Sequence, residues 1–101
     1  MKEKIIKIER GPNKKKYTAY VKNKLSKKTR KIHFGHKDYP QYKDRTPLKL
    51  YAYKNHNTRK RMHNYYKRHS GTINRKQAIN LEKKKSNRLY NAKILSHLYL
   101  W

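Results

Sequence analysis

Residues 16–22, Lys16-Tyr17-Thr18-Ala19-Tyr20-Val21-Lys22, alternate Tyr17, Ala19 and Val21 on one face with Thr18, Tyr20 and Lys22 on the other. A period of two, rich in aromatic and β-branched residues, is the pattern of a half-buried strand. Upstream, Ile6 and Ile8 alternate with Lys7 and Glu9, and GPNKKK (11–16) supplies Gly-Pro turn chemistry between the two runs. Downstream, the polar link NKLSKKT (23–29) leads to RKIHFG (30–35), which puts Ile32 and Phe34 on one face before Gly35 ends the run. Residues 1–35 are therefore expected to form an antiparallel β-meander of two or three strands, a unit too small to stand without something packed against it.

Residues 46–101 read as helical, so the fold class expected is α+β: a short antiparallel β-meander followed by three or four short α-helices, in one small basic domain spanning 1–101. HKDYPQYKDRT (36–46) is a loop, and Thr46-Pro47 ends it with a helix-start signal, a capping hydroxyl followed by Pro at the first helical position. Leu48, Tyr51 and Ala52 would share one face of that helix. A second helix over 58–69 would turn Met62, Tyr65, Tyr66 and His69 inward and stop at Gly71. Asn74 with Gln77 resembles a capping box for a third helix carrying Ala78 and Leu81, interrupted by KKKSNR (83–88). LYNAKILSHLYLW (89–101) sets Tyr90, Ile94, Leu98 and Trp101 at helical spacing, with Leu95 and Tyr99 beside them, and should fold back onto the meander as the densest apolar stripe in the chain.

The charge is extreme. Among 101 residues, 30 are Lys or Arg and 5 are Asp or Glu, a formal net charge of +25. Soluble domains of this size manage with a net charge of about 2 to 8, so solubility alone does not account for it. Ile, Leu, Val and Phe are scarce, ten tyrosines stand among the apolar residues, and self-repulsion opposes compaction. The fully ordered state is expected to depend on a polyanion or a protein partner. Lys outnumbers Arg 22 to 8 in a chain also rich in Asn, Tyr and Ile, residues with AT-rich codons, so the choice of Lys is read as partly mutational and the total charge as functional.

Several classes are set aside on the sequence. Its longest apolar runs, LYAY (50–53) and LYLW (98–101), are far short of the roughly 20 residues of a spanning helix. MKEKIIKIER lacks the apolar core and cleavage site of a secretory signal, so the protein is expected to be neither secreted nor transmembrane. With no cysteine there is no disulfide framework or thiolate chemistry, which suits a reducing compartment.

Basic residues cluster along every expected element, which suits phosphate binding by counterion release over the reading of one groove. The candidate phosphate ligands are Lys14, Lys15, Lys16, Lys28, Arg30, Lys31, Arg59, Arg61, Lys67 and Arg68. Tyrosines interleave with them. The spacing of Tyr17, Tyr65 and Tyr66 fits buried faces, whereas Tyr39 and Tyr42 are open to a stacking role on unpaired bases. His33 and His36 have HxxH spacing, and His56, Asn57, His63 and Asn64 loosely resemble a His-Asn-His nuclease. Only Asp38 and Asp44 lie near as carboxylates, and no nucleophile, acid–base pair or phosphate-cradling Gly loop is identifiable. No enzyme, small-molecule substrate, cofactor or metal is expected; the histidines would at most vary the net charge between about pH 5 and 7.

RKIHFGHKDYPQYKD (30–44), TPLKLY (46–51), NYYKRHSG (64–71) and AKILSHLYLW (92–101) together resemble a family of small lysine-rich proteins of large nucleocytoplasmic DNA viruses of algae and amoebae. The similarity covers residues 14–101, and it brings no catalytic residues. His56-Asn57-Thr58 departs from it in being less acidic, leaving this chain more uniformly basic. The resemblance implies a viral protein located in the virion or in the infected cell's cytoplasm or nucleus. The partner expected is nucleic acid, DNA ahead of RNA, bound for genome condensation or attachment. An alternative is a minor capsid or cementing protein whose basic surface pairs with acidic capsid proteins or an anionic membrane, fixed protein partners burying the apolar tail around Leu98 and Trp101. A ribosome-like RNA-binding component shares the composition but not the resemblance.

Overall fold

Three antiparallel strands, β1 (Glu3–Arg10), β2 (Lys15–Asn23) and β3 (Thr29–His36), make a sheet in the order β1-β2-β3 in the computed structural model, which describes every residue from Met1 to Trp101. The central strand behaves as its alternation requires. Tyr17, Ala19 and Val21 are fully buried, joined on the same face by Ile32 and Phe34 of β3. In β1 the pairing shifts between Ile5 and Lys7, so the inward residues are Ile5 and Ile8 while Ile6 is half exposed. The expected Ile6/Ile8 face is thus corrected by a bulge, whose extra residue moves every position before it to the opposite side.

The second half is helical, with one exception. Thr46-Pro47 does not open a helix: only a single 3₁₀ turn forms, at Ala52–Lys54. Thr46 does accept from the Lys49 amide through its hydroxyl (3.1 Å), but Thr46 itself is pinned inside by Asp44, and Leu48 and Ala52 face outward with Tyr51 alone buried. The helices that do form are α1 (Arg59–Ser70), α2 (Arg75–Lys85) and α3 (Ala92–Tyr99). Gly71 ends α1 in the left-handed region (φ 73°), and Asn74 Oδ1 caps α2 by accepting from the Gln77 amide at 3.0 Å. Ser70, not His69, completes the buried face of α1. On α2 the buried residues are Ala78, Ile79 and Glu82, with Leu81 exposed, and the helix continues through the lysine run until Asn87 and Arg88 adopt positive φ.

The terminal segment packs onto the sheet as its apolar stripe demands, though rotated by about one residue from the expected register. Ile94, Leu95, His97 and Leu100 are buried, while Leu98 and Trp101 are half-buried. Leu95 and Leu100 join the sheet core, and Trp101 touches both that core and a smaller cluster of Tyr65, Tyr66 and Ala78. The carbonyls at the end of α3 are met by cations: Arg75 donates to Leu98 O at 3.0 Å and Arg45 to Trp101 O at 2.7 Å, the favourable sign at a helix C-terminus. The tail is therefore covered by the protein's own sheet and helices.

Three buried carboxylates tie these pieces together. Glu3 on β1 accepts from Arg30 Nε (2.7 Å) and Nη2 (2.9 Å) and from the Tyr90 amide (2.8 Å), fastening the α2–α3 link to the sheet. Asp44 accepts from the Tyr17 hydroxyl, from the Thr46 amide and hydroxyl (2.9 and 2.6 Å) and from the Tyr51 amide (3.2 Å), holding the long loop on β2. Glu82 accepts from the Ser70 hydroxyl at 2.9 Å and faces Lys93 and Lys85, each at 3.7 Å, joining all three helices. Buried carboxylates hold such positions only when their lone pairs are met, as they are here.

Candidate nucleic-acid interface

Burial sorts the ionisable residues by sign. Of the thirty Lys and Arg only Lys16 is buried, whereas of the five acids only Glu9 and Asp38 reach the surface. Glu9 is itself engaged by the Tyr20 hydroxyl and by Lys7 at 3.2 Å, which hold its carboxyl below the usual range. The outer surface is thus cationic with almost nothing to offset it.

The candidate ligands fall into three groups. Lys14, Lys15, Lys28, Lys31, Arg59, Arg61, Lys67 and Arg68 are exposed, as phosphate contact requires. Lys16 is not. It sits on β2 where the alternation slips at the strand start, and its ammonium donates inward to Tyr39 O (2.7 Å) and Gln41 Oε1. Burial, with Lys54 nearby, pushes its pKa down to about 8. Arg30 keeps half its surface but spends its guanidinium on Glu3 and on Tyr90 O (2.6 Å), so its charge is largely matched. Both are internal ties rather than free ligands.

Exposed cations lie on every side of the fold, and two groups of them border aromatic rings. On the uncovered face of the sheet Lys7 and Lys31 flank the Tyr20 ring at 5.0 and 5.5 Å, with His33 beside them bonded to the Thr18 hydroxyl. Lys28 lies away from this group, in the turn between β2 and β3. Between the end of the sheet and helices α1 and α3 opens a cleft of about 640 Å³. Lys15, Arg61, Arg68 and Lys93 line it, and no acidic side chain does. Tyr39, which the sequence leaves open to a stacking role, lines it too, as do His36 and Lys93, which were not among the phosphate candidates. Their chain positions are remote from its basic clusters, and only the topology joins them.

At the start of α1 the electrostatics are unsatisfied. Arg59, Lys60 and Arg61 occupy its first turn, no acid is present there, and Thr58 makes no side-chain cap. Three cations beside the positive end of a helix repel it, so an anion brought to that end is stabilising.

His36 and His69 both line the cleft, and the other histidines are distributed through the fold. His33 lies on the outer sheet face and His36 at the cleft. His56 accepts from the Thr58 amide (3.0 Å) and packs near Trp101. His97 is fully buried in a directed chain: Tyr65 O–H meets its Nδ1 and its Nε2 meets Ser70 Oγ, both at 2.9 Å, and Ser70 donates on to Glu82. That polarity assigns a neutral ring protonated at Nε2. Burial lowers its pKa to about 4. With no opening to solvent this chain serves to fix α1, α2 and α3 together. Tyr17, Tyr65 and Tyr66 are buried, as their spacing indicates; Tyr42 is half-buried beneath Arg45, and Tyr39 is 65% exposed.

No helix is long and apolar enough to cross a membrane. Comparison of the chain with protein-family models, curated protein sequences and solved structures finds no match.

Proposed function

We propose that the protein binds the phosphate backbone of nucleic acids without sequence preference, DNA ahead of RNA, and acts in condensing or attaching a genome, within a virus particle on the strength of the sequence resemblance. The observation that carries this reading is the sorting of charge by burial. Three of the five acids are spent inside as ties, and the cations are left outside on every side of the fold and at an uncapped helix end. A surface positive in most directions suits counterion release along a polyanion and lacks the single reading element that base recognition in one groove demands. Lys15, Arg61 and Arg68 at the cleft, with Lys31 on the sheet, are the principal contacts, beside Lys93 and Lys7, whose charges Glu82 and Glu9 partly match.

Competition binding tests the proposal. A labelled random-sequence duplex should be displaced equally by unlabelled duplexes of unrelated sequence. One sequence bound orders of magnitude more tightly than the rest, or no duplex binding at low salt, would overturn it. Crosslinking in intact particles, followed by identification of the attached molecule, tests the location. Recovery of acidic capsid protein in place of nucleic acid would favour a cementing role.

A further inference from the structure

We infer that the cleft is a stacking site for an unpaired nucleobase, with Tyr39 as the platform, so that the protein engages single strands as well as duplex backbone. This inference rests on the nucleic-acid reading above and narrows it to one site.

Tyr39 is the side chain that makes the case. Its ring is 65% exposed although its backbone is held on both sides: its carbonyl accepts from the buried Lys16 ammonium at 2.7 Å and its amide donates to His36 O at 3.2 Å. The His36 ring lies against it at 4.6 Å, tilted by 32°, which supports the ring while most of its surface stays exposed. An exposed aromatic ring on a fixed backbone has little freedom left to lose on stacking. Leu25 and Tyr53 are more exposed still, but neither borders the cleft.

The opposite wall supplies the charge. Arg61 and Arg68 both line the cleft, seven residues and so about 10 Å apart along α1. Tyr65 lies between them, its ring already stacked on Trp101 at 4.2 Å and 3°. That pair forms an apolar floor and leaves Tyr39 as the free platform. The volume falls within the roughly 300–1,000 Å³ of sites that enclose small organic ligands, enough for a nucleotide. A platform facing cations across an acid-free cleft is the arrangement that binds single strands without sequence readout: the base stacks, the phosphates pair, and every base has a face to offer.

The test compares three probes of matched charge: oligodeoxythymidylate, an abasic deoxyribose-phosphate strand of the same length, and a random-sequence duplex. The wild-type protein should bind the base-bearing strand several-fold more tightly than the abasic one. Tyr39→Ala should weaken binding of the base-bearing strand about tenfold and leave the abasic strand and the duplex unchanged, and Tyr39→Trp should retain the wild-type preference. Because the ring is exposed, both variants should fold, which thermal melting verifies. Equal affinity for abasic and base-bearing strands, or an equal loss on all three probes in Tyr39→Ala, would overturn the stacking site while leaving backbone binding intact. Failure to bind any of the three would remove both.

Discussion

Arg30 and Glu3 form a two-pronged ion pair, 2.7 and 2.9 Å, and grip one residue between them: Glu3 accepts from the Tyr90 amide and Arg30 donates to the Tyr90 carbonyl. The hydrogen bonds from Arg30 hold the Glu3 carboxyl below the ordinary carboxylate range. One acid thus fastens the two edge strands and the link into α3. In a chain this basic the few carboxylates act where a charge-assisted bond is worth most.

Glu3→Gln keeps the shape and removes the charge. With Arg30 half exposed the loss should be about 1–3 kcal/mol, read as a lower melting temperature, while the folded variant binds DNA at least as tightly as before. Unchanged stability would show that the pair is incidental.

Acid should loosen the helices before it protonates the carboxylates. The folded state holds His97 neutral, with its pKa at about 4 against an ordinary 6.5, so its contribution is complete above pH 6.5 and is lost as pH falls toward 4. In that window the unfolded chain takes up a proton that the folded chain refuses. The contribution of Glu3, also depressed, is lost only below about pH 4.5. Denaturant titrations from pH 7 to 4 should therefore show stability falling by a few kcal/mol. His97→Gln should be less stable at pH 7 and should show less of this slope; an undiminished slope in the variant would assign it elsewhere.

Neighbouring lysines should behave oppositely. Lys15→Ala should lower the salt dependence of DNA binding by about one ion and leave melting nearly unchanged. Lys16→Met should leave the salt dependence as it is and lower the melting temperature, because Gln41 Oε1 and Tyr39 O lose their buried donor. Similar effects of the two on binding would contradict the assignment of Lys16 to the interior.

Gly35 and Gly71 both have positive φ, near 75°, but in different surroundings. A Cβ on Gly35 would meet Leu100 Cδ1 at 2.8 Å and Lys16 Cβ at 3.1 Å, whereas one on Gly71 meets nothing within 4 Å. Gly71→Ala should cost about 1 kcal/mol from backbone strain alone, and Gly35→Ala about 2–4 kcal/mol through added overpacking beneath the terminal segment. Equal melting shifts would mean that Leu100 is not seated against β3.

Much of the scaffold was legible because it is local. Tyr17, Ala19 and Val21 announce β2 by alternation, Gly71 and Asn74 mark helix ends by their own chemistry, and the stripe from Ile94 to Leu100 requires a cover. The bulge at Ile6 was hidden, since a one-residue slip leaves Ile5, Ile6 and Ile8 equally apolar on paper. Thr46-Pro47 failed as a helix start because Asp44, anchored by the Tyr17 hydroxyl, takes the Thr46 amide and hydroxyl into a local turn. Nothing in the sequence separates Lys16 from Lys14 and Lys15, or marks Glu3, Asp44 and Glu82 as ties, because an isolated charge has no period. For the same reason the exposed cations were found as a set, but the cleft that joins Lys15, Tyr39, Arg61 and Lys93 was not.

The central claim is that inward-turned acids leave a surface made for polyanions, and the salt dependence of binding measures it most directly. A plot of log affinity against log salt for a random-sequence duplex should be linear with a slope steeper than about −5, corresponding to six or more phosphates neutralised. A slope shallower than about −2, with affinity surviving moderate salt, would contradict it.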